Sequence, residues 1–466
     1  MKRPTTKKRT TPAPRRMRSR PWDQIAAEDL ARLRDSHLLR ERRIIEPIDA
    51  THVRYNGREY VNFSANNYLG LTHHPRVLAA AKSALEKYGT GAGAAPLISG
   101  YGPAHQSAER AIARWKGMES AVLLPSGYQA NHAAIQTVAS IGRNLQRDMG
   151  VTPMPSVSGV ENSGKKGPSN HRVASTGGTP VSHRSSETFE PDPNSPARER
   201  AAGGVRFLVD KLSHASLIDA IRATGEQLRV FPHNHIAKLH RLLEECPEGQ
   251  LQVVVTESIF SMDGDAADLR AIAGLKSKHD FMLLVDEAHA TGVYGPDGNG
   301  LAAELGMGDL VDVSVMTLSK ALGGVGGAVC GSSVFCEALI NYARAYMFST
   351  SIPPAIAAAT EAAIAVVKEE PRRRNRVREL ARIVRERIGK TKFVIPPGDS
   401  PIIPIVLGEE SAALAAAEKL WSEGLLVMAV RPPTVAKGSS RLRVTLSSEH
   451  TDAEIERLIQ AVEALS

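Results

Sequence analysis

The chain has 466 residues, 42% hydrophobic and 23% charged, an ordinary balance for a globular protein with room for a large domain and a smaller one. No apolar run approaches the roughly 20 residues of a membrane span, and Cys246, Cys330 and Cys336 form neither a disulfide framework nor a C-x-x-C pair, so a reducing, cytoplasmic compartment and no membrane partner are expected. The net charge of +8 hints at nucleic acid, but lysines and arginines without any acid fill residues 1–20, which leaves the remainder near neutral and predicts no nucleic-acid partner.

Residues 1–21 read as a disordered basic tail. A targeting presequence is the rival reading, but Pro4, Pro12 and Pro14 interrupt the amphipathic helix it would need. An N-terminal arm follows over 22–60. Within it Ile25, Leu30, Leu33, Leu38 and Leu39 recur among charges and predict a helix from Trp22 to Arg43. The stretch 53–63 reads as a hairpin, with Asn56-Gly57 as its type I′ turn.

Helical patterns then alternate with short apolar strands at Ala121–Leu124, Phe207–Val209, Leu251–Thr256, Phe281–Val285 and Val311–Thr317. That alternation predicts an α/β fold with a mainly parallel central sheet, in a large domain over 61–344. Residues 144–204 break the rhythm. They are rich in Ser, Pro, Gly, Thr and Asn, with Phe189 the single aromatic, and read as a disordered insertion. Loop-closure cost grows only logarithmically, so the fold can carry it. Residues 345–466 read as a smaller C-terminal α/β domain, with strands near Leu425–Val430 and Arg441–Ser447 and helices at Glu410–Gly424 and Asp452–Leu465.

The chemistry gathers at strand ends. Phe281–Val285 runs into Asp286-Glu287-Ala288-His289, and Val311–Thr317 runs into Lys320 and the glycines 323–327. In open α/β sheets, ligands bind at the carboxyl ends of strands. The letters Asp-Glu-Ala-His also suit an NTPase, which needs a phosphate loop upstream. Gly159–Lys166 lacks the closing Ser/Thr and lies in the insertion, and Gly389-Lys390-Thr391 has Val384 where the first glycine belongs. Gly89–Ala94 fits the dinucleotide fingerprint by letter but follows a helix rather than a strand. Pyridoxal phosphate, by contrast, needs an amine, an acid for its ring nitrogen and donors for its phosphate. Lys320, Asp286 and the strand-to-helix turn Ser126-Gly127 supply these. Taken alone, Lys320 is better read as a surface lysine beside a flexible loop, and Ser126-Gly127 is equally a plain helix cap.

The motifs together resemble the α-oxoamine synthases, pyridoxal-phosphate enzymes with the type I aminotransferase-like fold. The resemblance rests on Asn62-Phe-Ser-Ala-Asn66-Asn-Tyr68-Leu-Gly70, Ser126-Gly127-Tyr128, Leu212-Ser-His214-Ala-Ser216, Glu257-Ser-Ile-Phe-Ser261-Met-Asp-Gly-Asp265, Asp286-Glu-Ala-His289, Thr317-Leu-Ser-Lys320 and Phe348-Ser-Thr350-Ser. It implies that Lys320 binds the cofactor aldehyde and moves the substrate α-proton. Asp286 would pair with the ring nitrogen, His289 with the phenolic oxygen, and His214 would stack on the ring. Gly127, Tyr128, Ser261 and Thr317 would contact the cofactor, and Thr350 would reach its phosphate from the partner chain of a homodimer. No metal is implied.

Members of this family condense an amino acid with an acyl thioester. The segment Arg431-Pro-Pro-Thr434 … Arg441-Leu-Arg443 resembles those that join a pimeloyl thioester, on CoA or an acyl carrier protein, to L-alanine for biotin synthesis. Glycine C-acetyltransferase, 5-aminolevulinate synthase and serine palmitoyltransferase types are the alternatives. The resemblance places Arg443 and Asn66 at the amino-acid carboxylate, His214 against the substrate, and Thr434 and Arg40 on the acyl side.

Overall fold

The computed structural model describes residues 21–148, 204–247 and 249–466. The predicted tail, apart from Pro21, and residues 149–203 of the predicted insertion lie outside the described residues. Helix α1 (Pro21–Asp35) stops before the predicted Arg43. His37 there takes a left-handed φ of 57°, and the Leu38 N–H turns back to the Leu33 carbonyl at 2.8 Å, which closes the helix. Trp22, Ile25, Leu30 and Leu33 stay exposed within the single chain.

Strands β1 (Glu46–Pro47), β2 (His52–Tyr55) and β3 (Arg58–Asn62) pair antiparallel. Asn56 and Gly57 take φ of 50° and 77°, the positive pair that a type I′ turn requires, so the hairpin forms where the sequence predicts it. Helices α2 (Pro75–Tyr88) and α3 (Pro103–Lys116) follow, and the helix Pro354–Glu369 packs against both.

Among the described residues the central sheet has seven strands: β4 (Ser120–Leu124), β5 (Val205–Asp210), β6 (Gln227–Phe231), β7 (Leu251–Glu257), β8 (Met282–Asp286), β9 (Val313–Thr317) and β10 (Gly327–Gly331). Their order is β4-β10-β9-β8-β7-β5-β6, and β10 alone runs against its neighbours. Helices on both faces bury the sheet, so its central strands are apolar at nearly every position rather than alternating. Leu283, Leu284 and Val285 of β8 are fully buried, each stabilising the fold by roughly 1.5–3 kcal/mol relative to exposure.

Strands β6 and β10 were not predicted. Exposed Arg229 and Val230 blur β6, and glycines at both ends disguise β10. The glycine run before β10 makes the tight turn expected of it. Gly323 takes φ of 68°, and a Cβ there would come within 2.6 Å of the Thr72 backbone nitrogen. The chain thereby reverses after Lys320 and returns as β10 between β9 and β4.

Helix α4 (Gly127–Asp148) runs past residue 144, where the insertion was predicted to begin. Helix α5 (Ala215–Thr224) packs against it. Strand β11 (Ile402–Gly408) belongs to a three-stranded C-terminal sheet. The predicted strand at Leu425–Val430 is two: β12 (Leu425–Leu426) joins β3 in parallel, and β13 (Met428–Val430) pairs with β14 (Ser440–Thr445). The break at Val427 lets one segment serve two sheets, which ties the N-terminal hairpin to the C-terminal sheet.

Candidate active site

A cleft of about 250 Å³ opens at the carboxyl ends of β7, β8 and β9, against the start of α4. Adjacent strands bring Glu257, Asp286 and Val315 into register, so the residues that follow each strand converge. Ser126, Gly127, Tyr128, Asn131, His214, Glu257, Asp286, His289, Thr317 and Lys320 all line this space. Of the residues predicted for the cofactor, the cleft gathers all but Ser261 and Thr350.

Lys320 is the centre. Its Nζ lies 2.8 Å from His289 Nε2. Burial lowers its pKa to about 8, while Asp286 and Glu257 pull it back up. An amine so placed is partly neutral near physiological pH, as a nucleophile toward an aldehyde must be. His289 Nδ1 meets the Tyr68 hydroxyl at 2.7 Å, and that hydroxyl donates to Asn66 Oδ1 at 3.1 Å. Desolvation, reinforced by the charge of Lys320, holds the His289 pKa well below its ordinary value. His289 is thus neutral, with its proton on Nδ1, and accepts from Lys320.

Asp286 is held from two sides. Its Oδ1 accepts the Ala288 N–H at 2.9 Å and its Oδ2 accepts from Asn131 Nδ2 at 2.7 Å. Beside it Glu257 is 2% exposed, and its Oε1 accepts the main-chain N–H of His214 at 2.5 Å. Burial first, and the neighbouring Asp286 second, push the Glu257 pKa well above the usual range. Behind the strand, Glu287 forms a buried ion pair with Lys116, and Lys116 Nζ also donates to the Asn299 carbonyl at 2.6 Å. That pair pins the segment just after Asp286.

The start of α4 can cradle an anion. Its first-turn N–H groups at Gly127 and Tyr128 have no intrahelical partner, while Ser126 Oγ takes the Gln129 N–H at 3.1 Å. A Cβ on Gly127 would sit 3.3 Å from Thr317 Oγ1, so glycine keeps this corner open. Thr317 and Ser319 hydroxyls lie 2.7 Å apart at the same corner. Amine, acid and anion cradle are therefore spaced about one cleft, which fits pyridoxal phosphate. Tyr128 stacks on His132, with ring centroids 4.6 Å apart, and remains exposed.

Arg443 approaches from the C-terminal sheet. Its Nη1 donates to Asn66 Oδ1 at 3.1 Å and its Nε to the Ser261 carbonyl at 2.7 Å. Ser261 thus meets Arg443 through its backbone, outside the cleft lining. Arg441, predicted to share a strand face with Arg443, is buried in an ion pair with Asp263. Arg40 and Thr434 come together, with Nη2 to Oγ1 at 3.4 Å, on an exposed edge. Thr350 is exposed and does not line the cleft of its own chain. Sequence reasoning missed Asn131, Ser216, Glu257 and Tyr68, although each lies inside or beside a motif that it quoted.

Comparison with known proteins agrees with this geometry. The "Aminotransferase class I and II" family matches residues 58–145 and 197–462. A putative 8-amino-7-oxononanoate synthase of Desulforudis audaxviator is 38% identical over 94% of this chain and 98% of its own. The 8-amino-7-oxononanoate synthase of Anaeromyxobacter dehalogenans is 38% identical over 91% of this chain and 92% of its own. Among solved structures, Sphingomonas wittichii serine palmitoyltransferase has a TM-score of 0.77 at 27% identity, covering 95% of this chain and 96% of that one. The 8-amino-7-oxononanoate synthase of Francisella tularensis has a TM-score of 0.64 at 23% identity, covering 87% and 97%, and supports the fold alone. The chain belongs to the class I and II aminotransferase family, in its pyridoxal-phosphate-dependent α-oxoamine synthase branch.

Proposed function

We propose that this protein condenses a pimeloyl thioester with L-alanine, releasing CO2 and the thiol, to give 8-amino-7-oxononanoate. The observation that carries the reading is Lys320, half-buried beside Asp286 and His289 at adjoining strand ends, in a chain 34–38% identical to 8-amino-7-oxononanoate synthases over more than nine-tenths of its length. Pyridoxal phosphate, when bound, supplies an aldehyde for amines and an electron sink for a carbanion at the alanine α-carbon. Lys320 would hold that aldehyde and, as a free amine, take and return the α-proton of alanine. Asp286 would keep a proton on the ring nitrogen, and the α4 start with Thr317 would bind the phosphate. His289, which faces Lys320 through Nε2, would lie against the phenolic oxygen. Arg443, steadied by Asn66, pairs with the alanine carboxylate before it leaves as CO2. Arg40 and Thr434 stand on the acyl side.

A cytoplasmic homodimer is part of the proposal. The exposed Thr350 and the open apolar side of α1 support it, since both are surfaces that a second copy can use. No helix among the described residues is long and apolar enough to cross a membrane. The likeness in shape to serine palmitoyltransferase reflects the shared fold, because identity to the Desulforudis and Anaeromyxobacter synthases is higher, 38% against 27%. The deciding experiment offers purified enzyme alanine, glycine and serine in turn, each with pimeloyl-CoA, pimeloyl carrier protein, and short and long acyl-CoAs. Product mass should appear with alanine and a pimeloyl donor, and the better of the two carriers identifies the natural one. Preference for glycine or serine, or for a short or long-chain acyl group, overturns the assignment.

A further inference from the structure

A chain of hydrogen bonds, buried except at its last link, connects the acid of the cleft to its histidine, and the carboxylate at one end and a main-chain N–H at the other fix its direction. Asp286 Oδ2 accepts, so the group facing it at 2.7 Å is the amide nitrogen of Asn131. That nitrogen has a second hydrogen, directed 2.9 Å to Ser216 Oγ. The Ser216 oxygen accepts there, which leaves its own hydrogen for His214 Nδ1 at 2.7 Å. The Ser216 main-chain N–H points to the same Nδ1 at 3.2 Å, because His214 caps α5. Two donors on one ring nitrogen leave no room for a proton there, so the imidazole proton belongs on Nε2, at the opposite edge of the ring.

The arrangement has a cost that marks it as specific. In this orientation Asn131 Oδ1 is buried without a hydrogen-bond partner among the described residues, although Asn131 is only 3% exposed. Turning the amide over would set its oxygen against the carboxylate of Asp286, two acceptors facing each other. We propose that Asn131 and Ser216 are positioning residues that lock His214 as its Nε2–H tautomer, so that it presents a hydrogen-bond donor to a substrate oxygen in the cleft. This rests on the reading of the cleft as the active site.

Several charged groups face His214: Asp286 and Lys320 from the strand ends, Asp219 from its own helix, and Glu257 through its main-chain N–H. Burial lowers the imidazole pKa and the charge of Lys320 lowers it further, against Asp286 and Asp219. The two donors at Nδ1 act in the same direction as burial, since a protonated Nδ1 would have to face them.

The test is the tautomer itself. Long-range proton–nitrogen correlation spectra of protein labelled with 15N-histidine, apo and cofactor-loaded, should show His214 protonated at Nε2 and bare at Nδ1, its signals identified by their loss in His214→Asn. Ser216→Ala should lower kcat/KM about tenfold and move the acid limb of the pH profile to higher pH, because one brake on protonation is gone. Ser216→Thr, which keeps the hydroxyl, should retain the wild-type tautomer and acid limb. A wild-type spectrum with the proton on Nδ1 overturns the proposal even if no variant folds. So does a Ser216→Ala enzyme with an unchanged acid limb and kcat/KM. The spectra need no substrate, so failure of the acyl-donor panel would refute the assigned reaction and leave the tautomer standing.

Discussion

Lys320 is where local chemistry is most concentrated: a half-buried amine with its pKa brought to about 8, next to a neutral imidazole. Replacing it with alanine removes the group proposed to hold the aldehyde and move the α-proton. Lys320→Ala should lose product formation by on the order of 10³-fold or more, while circular dichroism stays native. An alanine variant with near wild-type turnover would remove Lys320 from the chemistry. The sequence makes Lys320, Asp286 and His289 legible because their residue types are rare in that order at strand ends. Asn131, Ser216, Glu257 and Tyr68 were less so. An amide, a hydroxyl or a buried acid has many ordinary structural uses, and only three-dimensional proximity shows which partner it serves. Glu257 closes a strand that reads as plain core, and although it opens the quoted motif 257–265, the letters do not show that it faces Asp286. Asn131 offered one faint signal, its place one helical turn after Gly127, which puts it on the same side of α4 as the cleft.

At the scale of elements, loop ends are fastened as carefully as strands. His233, just after β6, bridges Asp210 at the end of β5 and Asp265 in the loop that carries Ser261, at 3.0 Å and 2.6 Å. The two carboxylates outweigh desolvation and raise its pKa to about 10. A folded-state pKa above the unfolded value of about 6.5 means that the clamp is fully stabilising below pH 6.5 and is lost as pH rises toward 10. His233 is 24% exposed on its side chain, so solvent screening reduces the contribution to about 2 kcal/mol. His233→Gln should therefore lower Tm at pH 6 and leave it nearly unchanged at pH 10, read by thermal melts across that range. Equal destabilisation at both ends would show that packing, not charge, is what His233 provides. The elements themselves were legible where apolar runs are long, as in β7 and β8. In β9 the alternation Val-Ser-Val was a correct cue for a misleading reason. Ser314 is 1% exposed and faces Glu287, not solvent. The division of Leu425–Val430 between two sheets could not be read from sequence, because both halves are equally apolar and only their partners differ.

For the whole molecule, the cleft of one chain leaves Thr350 outside and α1 with its apolar side bare. Sedimentation velocity at micromolar concentration should return about twice the 50.1 kDa chain mass. A monomer that turns over at the full rate would show that one chain completes its own site. Overall architecture was the most legible level, since alternating strands and helices leave few ways to cover a sheet. The reversed β10 was not, because a strand bounded by glycines looks like a turn.

Helix α4 has one further consequence. It starts at the cleft with Gly127 and runs 22 residues, about 33 Å at the helical rise, to Asp148, while β5 begins at the sheet's opposite rim. Asp148 and Gly204 therefore both lie at the edge of the sheet remote from the cleft. The length of the strands separates these two points from the reacting groups. That makes this junction the natural place to splice in a reporter, an affinity handle or a second protein without disturbing the reaction.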